Sequence, residues 1–176
     1  PRLHGLTGTP LIGGPRAVTC QRADSKGIHS FVASHDGYVA RFGIYHEREL
    51  TLSANGFILS GADRFFRAGG EAVRDGDKDA VAGRFHLHPD VELYRDSQER
   101  LVITAPNADR WLFTCNEVEP DIEETIFFAG LGGPRRSRQL VLSFRASQLP
   151  EVRWQMTRSP APEPTGGRSR APRVAG

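Results

Sequence analysis

At 176 residues the chain is sized for one domain burying roughly two thirds of its unfolded surface, and 38% apolar with 25% charged residues excludes wholesale disorder. The net charge is +2, and Arg168, Arg170 and Arg173 against Glu163 put that surplus in the last residues, so the body is neutral and lacks a general nucleic-acid footprint. No run of about 20 apolar residues is present, which excludes a helical membrane span.

Residues 1–15 are rich in glycine and proline and read as a lead-in loop. Arg16–Arg22 reads as a short strand, Asp24-Ser25-Lys26-Gly27 as a turn and Ile28–Ala33 as a second strand. Ser34-His35-Asp36-Gly37-Tyr38 is a polar turn. From Arg41 to Leu52 one parity carries Phe42, Ile44, Leu50 and Leu52, the period-two pattern of a strand with one buried face. Asn55-Gly56 predicts a type I′ hairpin turn, with Phe57-Ile58-Leu59 returning as the partner strand and Arg64–Phe66 extending it. Gly69–Asp79 is acidic and glycine-rich, a mobile surface loop on composition.

Strand character resumes at Val81–His88, followed by a meander of Val91–Arg95, Leu101–Thr104 and Trp111–Cys115. Ile122–Ala129, Gln139–Phe144 and Val152–Met156 complete the series, and no stretch carries a 3.6-residue apolar period. Many short strands with turn chemistry between them predict an all-β, antiparallel β-sandwich over residues 16–158. Residues 159–176 are Pro/Gly/Arg-rich and are expected to be a disordered tail. Cys20 and Cys115 form no CxxC and are compatible with free thiols or with one disulfide.

Three clusters could carry chemistry. His46 and Arg48 fall on the apolar parity of their strand, so Arg48 must meet a carboxylate or face a cleft, a structural ion pair being the expected outcome. His35 and Tyr38 are a possible base and acid, or turn and anchor residues. His86, His88 and Glu92 share strand parity, and an HxH with a carboxylate is a metal-ligand spacing. The competing reading of the two histidines is a hydrogen-bonded polar layer. Basic residues are almost all arginine, with Lys26 and Lys78 the only lysines, which suits acidic ligands.

HDGYVARFGIYHERELTLSANGFILSGADRF, then GRFHLHPDV, DRWLFTC and a closing VRWQM, resembles the heparinase II/III family of polysaccharide lyases over roughly residues 16–157. The resemblance implies the later part of that family's C-terminal β-sandwich domain. It implies β-elimination on uronic-acid-containing acidic polysaccharides, with an N-terminal α/α toroid carrying the Tyr/His/Asn catalytic residues. A divalent metal (Zn or Ca) in full-length members and a periplasmic or cell-envelope location are implied as well. Neither the toroid nor the family's HxHxD-type strand is visible in this sequence, so the chain is expected to be inactive alone, with no cofactor of its own. His35, Tyr38, His46, Arg48, Arg84, His86 and His88 are the candidates for facing the glycan cleft. The alternatives are a cupin-like metal-dependent β-barrel enzyme using His86, His88 and Glu92, and a non-catalytic carbohydrate-binding or interaction module. Against the cupin alternative, the glycine spacing differs and no histidine follows His88.

Overall fold

The structure is a computed structural model that describes residues 14–76, 78–128 and 133–159. Most of the lead-in loop, the Gly130-Leu131-Gly132 corner and all of the expected tail beyond Ser159 lie outside the described residues. Within them the order is β1 (Val18–Ser25), β2 (Ile28–His35), α1 (Val39–Phe42), β3 (Tyr45–Leu52), β4 (Ile58–Phe66), β5 (Ala80–His86), β6 (Glu92–Arg95), β7 (Leu101–Thr104), β8 (Arg110–Cys115), β9 (Asp121–Phe127), β10 (Arg135–Arg145) and β11 (Glu151–Ser159). The fold is the expected all-β antiparallel sandwich. An eight-stranded sheet in the order β1-β2-β3-β4-β11-β8-β7-β6 faces a three-stranded sheet, β5-β10-β9.

Two local expectations are corrected. The strand predicted from Arg41 begins only at Tyr45, because Val39–Phe42 forms one helical turn. Asp36 starts that turn by accepting Val39 N at 2.9 Å, and Gly43 ends it in the left-handed region at φ 70°. The Asn55-Gly56 turn is not type I′, since only Gly56 has positive φ. Ser53 bonds Ile58 across a four-residue loop, and Gly56 N closes on Ser53 O at 2.8 Å. Asn55 contributes its side-chain oxygen, which accepts Ser53 Oγ and Phe57 N. Between Ser25 and Ile28 the two-residue hairpin turn Lys26-Gly27 does have two positive φ values.

The main core lies between the sheets and is built from Leu93, Leu101, Ile103, Phe113, Leu140, Leu142, Val152 and Trp154. Burying each large side chain of this kind stabilises by about 1.5–3 kcal/mol. Trp154 is its centre, edge-on to Phe85 at 4.9 Å and stacked near Phe113 at 6.1 Å. The indole fits because Gly61 stands opposite it in register; a Cβ there would come within 2.2 Å of the ring. A smaller cluster of Ile44, Phe65, Val73 and Ala146 closes one end. Val73 and the buried Asp79 pin the acidic loop expected to be mobile: Asp79 accepts Ser147 Oγ, pairs with Arg145 and receives Ala146 N. Cys20 and Cys115 are both free thiols.

Candidate functional site

The register of the large sheet assembles the first cluster. β2 and β3 pair so that His35 stands opposite His46 and Ala33 opposite Arg48, while β4 sets Asp63 opposite Arg48 and Phe65 opposite His46. His35, His46, Arg48, Asp63 and Phe65 project toward the small sheet and line a cavity of about 550 Å³. Tyr38, at the start of α1, stands at its mouth, 46% exposed, with its ring 5.2 Å from that of His35.

Asp63 is the hub. Its side chain is 6% exposed, and Arg48 binds it bidentately, Nε to Oδ1 at 2.7 Å and Nη2 to Oδ2 at 3.0 Å. Trp154 Nε1 donates to Oδ2 at 3.0 Å, and His46 Nε2 reaches Oδ1 at 2.7 Å. Burial pushes the carboxyl up, but the bonds from His46 and Arg48 outweigh it and hold Asp63 at about 2. The Arg48 guanidinium lies over Phe85 and Trp154, at 5.6 and 5.9 Å from the ring centres. The expected ion pair for Arg48 is therefore present, and it faces a cleft as well.

The protons in this cluster can be followed one by one. Gly37 N–H donates to His35 Nδ1 at 3.1 Å, so the neutral ring carries its proton on Nε2. That Nε2 lies 3.1 Å from His46 Nδ1, which accepts, leaving His46 protonated at Nε2 and donating to Asp63. Burial lowers the His35 pKa, and the neighbouring His46 lowers it further. The result is a one-way chain, Gly37 to His35 to His46 to Asp63, in which every ring nitrogen is occupied. A general base needs a free lone pair within about 3 Å of the proton it removes, and these imidazoles offer none.

Arg84, His86 and His88 do not join that cluster. Their side chains lie on the outer face of the small sheet: Arg84 bonds Glu123 at 2.6 Å, His86 lies 3.4 Å from Thr125 Oγ1, and His88 meets Phe127 edge-on at 4.9 Å. Of the three, Arg84 also borders the cavity, along the β5 edge. The seven candidates thus divide between two faces of the small sheet. His86, His88 and Glu92 do not form a ligand set, because β5 ends at His86 and Glu92 opens β6 in the other sheet. Among the described residues no three His, Cys, Asp or Glu side chains converge enough to hold a metal ion. The divalent metal that the resemblance implies for longer proteins finds no fit among the described residues.

Sequence reasoning passed over Asp63 and Trp154. The signal for Asp63 was present, since a hairpin folded about Asn55-Gly56 brings position 63 opposite position 48. Nothing in the sequence marks Trp154 as a donor to a carboxylate on the adjacent strand.

The sequence matches, over residues 8–155, the family profile described as heparinase II/III-like, C-terminal. No curated protein sequence matches it. Among solved structures it is similar to a heparinase III, the BT4657 gene product, at TM-score 0.59 and 9% identity over 81% of this chain and 21% of that one. A second heparinase III structure gives 0.57 and 12% identity over 82% of this chain and 21% of the other. The chain thus spans about a fifth of the length of the structures it resembles.

Proposed function

Since the chain belongs to the heparinase II/III-like family, through that family's C-terminal domain, we propose that it is the β-sandwich portion of a polysaccharide lyase and is catalytically silent by itself. The substrates in this reading are acidic polysaccharides containing uronic acid, cleaved by β-elimination, and the protein works in the periplasm or cell envelope. That reaction needs a base to take the proton beside the uronate carboxylate, neutralisation of that carboxylate, and an acid to help the glycosidic oxygen leave. These roles fall to a partner α/α toroid domain.

The observation that carries the reading is the occupied hydrogen-bond chain from Gly37 to Asp63. Arg48 and Asp63 cancel each other's charge, and every ring nitrogen of the two imidazoles is bonded. His35, His46 and Arg48 hold the sandwich together in this reading. Contact with acidic polysaccharide is left to the exposed Tyr38 and to Arg84, His86 and His88 on the solvent side of the small sheet. The test is the absorbance of unsaturated uronate when the purified chain is incubated with uronic-acid polysaccharides. It stays flat if the reading holds, and measurable turnover by this chain overturns it.

A further inference from the structure

The two sheets are unequal, and the difference is concentrated on one side. Eight strands face three. The small sheet covers the core around β11, β8 and β7, and it leaves the same face of β1 and β2 open, with Val18 63% and Phe31 39% exposed.

Beside that gap the small sheet ends in an edge that is unpaired among the described residues, where β5 bonds only to β10. Ala146 N donates to Asp79 O at 2.9 Å, and Leu87 N to Arg138 O at 3.1 Å. With the register unbroken between these two bonds, the odd-numbered residues Val81, Gly83 and Phe85 are the ones that exchange hydrogen bonds with β10. The N–H and C=O groups of Ala80, Ala82 and Arg84 therefore point the other way, out of the edge and toward the cavity that these residues line with His46 and Arg48. This edge holds no proline, and Ala80, Ala82 and Gly83 offer no bulk against an incoming strand.

We propose that the free edge of β5 accepts a further β-strand, an extended polypeptide segment from the part of a heparinase-length protein that this chain does not span. The segment lies over β3 and β2, pairs its main chain with Ala80, Ala82 and Arg84, and covers Phe31 and Val18 with apolar side chains. Main-chain bonds along one edge with side chains seated on the open sheet are how strand addition obtains affinity and register together. The proposal rests on the family reading for the source of the strand, since the matched heparinase III structures are about five times longer than the stretch this chain covers. It turns the His35–His46–Asp63 chain and Arg48 into an interior polar layer.

The test is residue-resolved amide hydrogen exchange in this chain alone and in the longest polypeptide of the same gene that contains it. Ala82 and Arg84 are expected to exchange roughly a hundredfold more slowly in the longer protein, while Val81, Gly83 and Phe85 are protected in both. Ala82→Pro removes an outward N–H without touching the β10 ladder. It is expected to restore fast exchange at Arg84 in the longer protein and to leave the unfolding midpoint of the short chain unchanged. Equally fast exchange at Ala82 and Arg84 in both proteins overturns the proposal. So does a gene that encodes nothing beyond these residues, or protection conferred on the short chain by a uronate oligosaccharide. Lyase turnover, which decides the functional reading, enters none of these outcomes.

Discussion

His46 and Asp63 are joined by a 2.7 Å bond from Nε2 to Oδ1, although the register sets neither opposite the other. The bond runs diagonally across the β3–β4 pair, from the neighbour of Phe65 to the neighbour of Arg48. One carboxylate thereby ties together an imidazole, a guanidinium and the central indole, and it couples the open side of the large sheet to the core.

Removing the negative charge should loosen all three donors at once. Asp63→Asn is expected to cost roughly 2–4 kcal/mol, below the range for a fully enclosed pair because Arg48 is 36% exposed. Arg48→Met should cost less, since Asp63 keeps two donors. Urea unfolding midpoints of the two variants check the order.

Acid should act in two stages. Asp63 has an ordinary value of 3.8 and a folded value of about 2, so its contribution, about 2 kcal/mol, is complete above 3.8 and is lost as pH falls through 2. His35 is held below 6.5, so the unfolded chain takes up that proton first, and stability declines as pH falls below 6.5. Stability measured against pH should therefore decline from near 6.5, and His35→Gln should remove that first decline while leaving the later one.

Gly61→Ala tests the seat of the tryptophan. The added methyl would come within 2.2 Å of the Trp154 ring, against a neighbour held by Phe85, Phe113 and Asp63. A loss of about 2–3 kcal/mol is expected, with a changed tryptophan fluorescence maximum, because overpacking displaces rather than compresses.

On the opposite face of the large sheet Arg64 binds Glu47, Glu49 and Glu151 at 3.1, 2.9 and 3.1 Å. Arg64→Met leaves three carboxylates facing one another. The group is partly exposed, so the cost should be only about 1 kcal/mol, and it should shrink when thermal unfolding is repeated in high salt.

Much of this arrangement was legible in the chain, and the gaps have physical causes. The alternation through His46 and Arg48 identified an inward polar pair, because a period of two leaves no other face for them. The one-turn helix at Val39–Phe42 was missed because four residues are too few to show a 3.6-residue period. Asn55-Gly56 was assigned the wrong turn type because loop length, which side-chain bonds to Ser53 and Asn55 help set, decides the type. Arg84, His86 and His88 were grouped with the cleft residues on side-chain chemistry and strand parity. Parity alone does not say which side of a sheet meets the core. In β5 it puts Arg84 and His86 on the side away from Phe85 and the core, and which sheet β5 joins is a long-range fact.

The most direct test of the hydrogen-bonded chain is long-range proton–nitrogen NMR of the His35 and His46 rings at neutral pH. Each is predicted to carry its proton on Nε2, with each Nδ1 shifted as an acceptor. A proton on Nδ1 of either ring would break the one-way chain and would contradict the account.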